Sequence, residues 1–283
     1  MKLGVFANIR KPDVKLAYQR VKDAFTKRGW EVVIEKEGGE VVGEQGVEKF
    51  WEEVSLIVSI GGDGTFLETV KRMGGCPAPV AGVNIGHLGF LTACQDQDVE
   101  ALAEAVTAND HAEVTRSLLK VRMCEAGGGE QEFLALNEVV IMRGETGRLV
   151  SLEAKVDGEL LNEYRADGLI VATPTGSTAY SLAAGGPLVD PQSDVIVITP
   201  ICPHTLSGRA LVLSDSSKVE LSACGHPTDP VLFTVDGRDI LRVDPESTIR
   251  IERSPESLRV VRLPGHSFYE TLRKKLQWSG GGL

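Results

Sequence analysis

Apolar positions in the first hundred residues follow two alternating rhythms. Short, mostly apolar runs at 3–7, 31–35, 56–60 and 80–83 read as strands, the first of them buried. Between them apolar residues recur at helical spacing. Val14, Ala17, Tyr18, Val21, Ala24 and Phe25 form one such set, with Gly29 where a C-cap belongs. Phe66, Leu67, Val70 and Met73 form another, and 98–107 a third. Strand alternating with helix predicts a parallel, doubly wound sheet.

Near residue 112 the rhythm becomes that of strands. Two flank Gly127-Gly128-Gly129, and Asp157-Gly158 predicts a type I′ hairpin. Further strands are expected at 169–173, 195–199, 210–213, 218–222, 231–235, 240–243, 248–252 and 258–262, interrupted by one helix at 177–184. A last helix is expected over 266–276, and the tail 279–283 reads as disordered. The expected fold is α/β plus all-β. A doubly wound α/β domain spans 1–112, a sandwich-like β-rich domain spans 113–263, and a closing helical segment spans 264–278.

Composition narrows the function. A chain of 283 residues suggests about two domains, and 42% hydrophobic with 25% charged residues is ordinary for a globular protein. The net charge of −10 argues against a nucleic-acid partner. Five scattered cysteines without a Cys-x-x-Cys pair argue against a disulfide framework or structural zinc and suggest the reducing cytoplasm. No apolar run approaches the ~20 residues of a membrane span, and the N-terminal apolar stretch is too short for a signal peptide, so no membrane partner is expected.

Three stretches can carry chemistry. In Ser59-Ile-Gly-Gly-Asp-Gly-Thr-Phe-Leu67 a strand ends in three glycines around one carboxylate. The exposed amides of Gly61, Gly62, Gly64 and Thr65 at a helix N-terminus suit phosphate. The turn alone leaves open whether Asp63 caps the helix or does chemistry. Asn137-Glu138 interrupts the apolar strand "FLALNEVVIM"; burial of either side chain requires partners, and the pair suits ribose hydroxyls and base edges. In Thr173-Pro-Thr-Gly-Ser-Thr-Ala-Tyr-Ser181 small hydroxyls and amides, including those of Thr175 and Ser177, open a short helix and suggest a polar pocket wall reaching Ala183, with Tyr180 as an aromatic face. His87 and the Cys202-Pro203-His204 run are too isolated for a metal site, and no carboxylate cluster reads as a preformed cage.

Together the three stretches, in this order, with "NIGHLGFLT" at 84–92 and "VDG" at 235–237, resemble the NAD kinase family over nearly the whole chain. The resemblance implies transfer of the γ-phosphoryl of ATP, or of polyphosphate, to the 2′-hydroxyl of the adenosine ribose of NAD. It implies Asp63 as catalytic base, with Gly64, Asn137, Glu138, Asp167, Thr178, Ala179, Tyr180 and Ser181 on the dinucleotide. Arg148 and Arg165 fall where basic contacts are common in the family. It further implies that the helix at 264–278 packs back on the first domain, magnesium accompanying ATP, an active site between the domains, and a homodimer or homotetramer whose dinucleotide site can include residues of a neighbouring subunit. Two departures are Arg238, where the family often has glutamine, and Glu68, at a position sometimes basic. The rivals are a lipid or sphingoid kinase with a similar glycine turn and a non-catalytic NAD(H) sensor. The second and third stretches favour a dinucleotide over a lipid, and a sensor has no use for Asp63.

Overall fold

The computed structural model describes residues 1–86, 89–125, 127–145, 147–224, 231–244, 246–265 and 267–278. His87, His266 and the tail at 279–283 lie outside them. The chain divides into two units, Met1–Thr115 with the segment from Leu258 onward, and Arg116–Ser257. The divisions fall within long strands rather than at 112 and 263.

In the first unit β1 (Lys2–Ala7), α1 (Val14–Thr26), β2 (Glu31–Ile34), α2 (Lys36–Val42), β3 (Leu56–Gly61), α3 (Asp63–Met73), β4 (Val80–Asn84), β5 (Cys94–Gln95) and α4 (Val99–Thr107) follow one another. The strands pair in parallel in the order β4-β3-β1-β2, with β5 beside the end of β4. The chain steps from β1 outward to β2, then returns to β1's other side with β3. The carboxyl ends of β1 and β3 are therefore the topological switch point, where open α/β sheets bind ligands. The six residues that spacing assigned to the inner face of α1 are its buried residues. Each large side chain among them contributes about 1.5–3 kcal/mol of burial.

Helix α2 has no counterpart in the sequence reading. Gly38 and Gly39 sit inside it and lower its intrinsic propensity by about 1 kcal/mol each; a Cβ at Gly39 would lie 2.6 Å from the Gly46 nitrogen, so glycine lets that backbone approach. Gly29 lies three residues beyond the last residue of α1, with φ +80°, and its N–H donates to the Thr26 carbonyl at 3.0 Å.

The second unit contains most of β6 (Ala112–Cys124), then β7 (Glu130–Ala135), β8 (Glu138–Arg143), β9 (Val150–Val156), β10 (Glu159–Ala166), β11 (Gly168–Ala172), α5 (Tyr180–Ala183), β12 (Val195–Ile201), β13 (Leu211–Ser214), β14 (Val219–Ala223), β15 (Val231–Val235), β16 (Arg238–Val243) and most of β17 (Thr248–Arg262). One antiparallel sheet runs β13-β12-β11-β8-β15-β16. Another runs β10-β9-β14-β17, and β6 pairs with β7. Val139, Ile141 and Phe233 from the first and Leu152, Leu221 and Ile249 from the second share one core cluster, as in a sandwich. The Asp157-Gly158 turn has φ +52° and +86°, the backbone of the expected type I′ hairpin.

Three expectations are corrected. Asn137 does not lie within a strand: β7 ends at Ala135 and β8 begins at Glu138. The strands expected at 248–252 and 258–262 are one, β17, which pairs with β14 at its start, with β4 at Val260 and also with β6. The helix expected over 177–184 is broken at Ala179 (φ −97°, ψ −129°) into a 3-10 turn at Gly176–Thr178 and the single turn of α5. The last helix, α6 (Phe268–Lys275), starts at Ser267, whose hydroxyl accepts the Tyr269 N–H at 3.2 Å, and belongs to the first unit.

Candidate active site

In the first unit the glycine turn occupies the switch point. The Asn8 amide donates to Thr65 Oγ1 at 3.1 Å and the Asn8 N–H to the Ile60 carbonyl at 2.9 Å, tying the end of β1 to the turn. The Thr65 hydroxyl is thus engaged within the chain. Gly62 is the N-cap of α3, and Asp63, in its first turn, does not cap it. The Asp63 carboxylate instead accepts two backbone N–H groups from the loop after β4: Phe90 donates to Oδ2 at 2.9 Å and Leu91 to Oδ1 at 3.0 Å. Each oxygen keeps a second lone pair. A Cβ at Gly89 would lie 2.0 Å from Oδ1, so glycine is required for that approach.

Gly62 differs. Its backbone (φ −135°, ψ −168°) is open to any residue, and the nearest atom to a Cβ there would be Asn84 Oδ1 at 3.9 Å. Nothing among the described residues requires glycine at this position; its missing side chain leaves space beside the first turn of a helix, where anions bind. Gly61 is buried and Gly64 exposed.

In the second unit the other two stretches meet at one end of the six-stranded sheet. Glu138 pairs with Ala172, from which the chain enters 173–181, and Val139 pairs with Val235, from which it enters the Asp236-Gly237 turn. Asp236 (φ +50°) aims its carboxylate at the break between β7 and β8. It accepts the N–H groups of Leu136 at 2.9 Å, Asn137 at 2.7 Å and Glu138 at 3.0 Å. Those three amides therefore need no ladder partner, which is why the strand is interrupted there. The Thr173 hydroxyl donates to the Leu136 carbonyl at 2.6 Å and its N–H to the Asn137 carbonyl at 2.8 Å, joining the stretches.

Asn137 and Glu138 are both buried, 9% and 5% exposed. Burial first, then the Asp236 charge, pushes the Glu138 carboxyl up to about 8, against the opposing pull of the Tyr180 N–H that it accepts. Burial likewise raises Asp236, opposed by its three N–H donors. Two buried polar atoms here, Glu138 Oε2 and Thr175 Oγ1, have no hydrogen-bond partner among the described residues. Such atoms are costly unless something else satisfies them.

The pocket-wall expectation is partly redrawn. The hydroxyls of Ser177 and Ser181 are fully buried and bonded inside the chain, the first to the Pro174 carbonyl at 2.7 Å, the second to Thr199 Oγ1 at 2.8 Å. The Thr178 hydroxyl donates to the Thr175 carbonyl at 3.2 Å. These residues shape the segment, and Ala179, Tyr180 and Ala183 lie on its accessible side, with Tyr180 42% exposed. Asp167 sits at the far end of β11, where it accepts from Arg143 Nε at 2.5 Å. A strand of that length separates it from Glu138 by about 15 Å. Arg165, on β10, and Arg148, in the loop before β9, are exposed. Of these three, Asp167 stands at the opposite end of the β8–β11 ladder from Glu138. The sequence reading counted Val235-Asp236-Gly237 toward the resemblance but gave Asp236 no role of its own.

Residues 3–112 match the ATP-NAD kinase N-terminal domain and residues 136–263 the ATP-NAD kinase C-terminal domain. The chain is 42% identical over 226 residues to the NAD kinase of Symbiobacterium thermophilum, covering 80% of each. It is 38% identical over 282 residues to that of Desulfatibacillum aliphaticivorans, covering 99% of each. Among solved structures, an NAD kinase from Archaeoglobus fulgidus in complex with ATP matches at TM-score 0.77 and 25% identity, covering 99% of this chain and 100% of that one. Yeast NADH kinase complexed with NADH matches in fold at TM-score 0.92 and 24% identity, covering 100% and 89%.

Proposed function

The chain belongs to the NAD kinase family, and on that premise we propose how its residues divide the phosphorylation of NAD. The glycine turn at 61–65 receives the phosphates of ATP, or of polyphosphate, against the first turn of α3. The observation that carries this reading is Gly62, at which no described residue comes close enough to a Cβ to require glycine. Asp63, held by two backbone amides, orients the ribose 2′-hydroxyl and accepts its proton as the bond to phosphorus forms. A carboxylate is a weak base toward a free alcohol, so proton transfer is late and orientation matters as much as basicity. Phosphoryl transfer is catalysed mainly by positioning and charge neutralisation, which suits a site built from fixed amides.

In this reading the dinucleotide lies on Asn137, Glu138 and the 175–181 segment. Glu138 Oε2 and Thr175 Oγ1 find in its hydroxyls the partners that the described residues do not supply. Magnesium, carried by the donor's phosphates, would neutralise part of their charge; among the described residues no group of three His, Cys, Asp or Glu is placed to hold an ion. Asp167, Arg148 and Arg165 contact the dinucleotide only as residues contributed by a second copy of the chain, in a homodimer or homotetramer. A cytoplasmic protein fits these substrates, and no helix among the described residues is long and apolar enough to cross a membrane.

The test is NADP formation by the purified protein from NAD, ATP and magnesium, with and without chelator. Chelator-sensitive accumulation of NADP is expected. NAD binding without NADP formation would overturn the reading in favour of a sensor.

A further inference from the structure

Helix α6 lies beyond the residues matched by either family domain, which end at 263. Phe268, Leu272 and Lys275 recur at i, i+4 and i+7 and so share one of its faces. Phe268 meets Phe90 with ring centroids 6.3 Å apart, Leu272 is buried, and the Lys275 ammonium stands 4.9 Å over the Phe90 ring. The same ammonium is 3.8 Å from Asp63 Oδ2. That is an ion pair longer than a hydrogen bond, so the contact leaves all three ammonium protons for another acceptor. The Phe90 ring supports the cation and the Phe90 backbone holds the carboxylate. Lys275 is thus a positive charge aimed at the carboxylate beside the glycine turn.

We propose that Lys275 is a catalytic residue of this kinase that binds the terminal phosphoryl group of the donor, moving from Asp63 onto its oxygens when the donor enters. The move leaves Oδ2 facing the acceptor hydroxyl and sets a cation against the charge of the transferring group. The inference rests on the donor phosphates lying at the glycine turn. A lysine that served only to hold α6 in place would not distinguish nucleotides by their terminal phosphate.

The experiment measures kcat/KM for ATP and the inhibition constant of ADP against ATP for the wild type, Lys275→Met and Lys275→Arg, alongside thermal melting. Loss of a charge-assisted contact is expected to lower kcat/KM for ATP in Lys275→Met by about tenfold or more. Inhibition by ADP, which lacks the terminal group, should change by less than about twofold, and Lys275→Arg should recover most of the loss. Equal loss for ATP and ADP overturns the proposal, as does no loss in either variant or a loss that tracks melting without rescue by arginine. Gly62→Val separates the premise from the inference: if it weakens ATP use while Lys275→Met does not, the donor site stands and only the role of Lys275 falls.

Discussion

The carboxylate of Asp236 accepts the backbone N–H of Asn137 at 2.7 Å, across 99 positions of sequence, and accepts those of Leu136 and Glu138 beside it. One side chain thus fixes the backbone from which both proposed dinucleotide contacts project. Asp236→Ala would strand three amides, and since each stranded amide costs about 1–3 kcal/mol before water relieves it, the variant should lose about 3 kcal/mol. Chemical denaturation measures that loss, and NAD affinity should fall with it. A change below about 1 kcal/mol would show that the cap does not hold the segment.

Glu138 provides a pH signature. Its folded value of about 8 lies above its ordinary 4.5, so the folded protein keeps a proton that the unfolded chain releases. The sign follows. Its contribution is fully present below 4.5 and is lost as pH rises through 8. Relative to Glu138→Gln, the wild type should lose stability with rising pH by at most about 1.4 kcal/mol per unit within that window. Denaturation of both proteins at several pH values reads the difference; a stability gap independent of pH would contradict the buried, proton-holding carboxyl.

The two glycines flanking Asp63 should separate folding from activity. Gly62→Val meets nothing closer than 3.9 Å at its Cβ and should change stability by less than about 1 kcal/mol, while kcat/KM for ATP falls about a hundredfold. Gly89→Ala would put a Cβ 2.0 Å from Asp63 Oδ1, so stability and turnover should fall together. Melting temperatures and steady-state rates on the same preparations distinguish the two patterns.

Much of this was legible in the sequence where the signal is local. The face of α1, the strand-glycine-helix turn and the Asp157-Gly158 hairpin each depend on neighbours within a few residues. What escaped was non-local. Asp236 and Asp157 occupy the same Val-Asp-Gly turn, but Asp157 accepts the N–H of Lys218 at 2.9 Å whereas Asp236 caps the break before β8, and no local pattern separates them. The serines at 177 and 181 read as pocket hydroxyls because sequence does not show which hydroxyls find partners inside. The helix expected near the C-terminus is present as α6, but the approach of Lys275 to Asp63 joins residues more than two hundred positions apart.

Asp63→Asn tests the central claim most directly. The amide is nearly isosteric but carries no charge and is a far weaker proton acceptor. The measurement pairs NAD affinity with NADP turnover at saturating ATP and magnesium. The expected result is NAD affinity within about twofold of the wild type and turnover reduced by roughly a hundredfold or more. Turnover within about fivefold of the wild type would contradict the role given to Asp63.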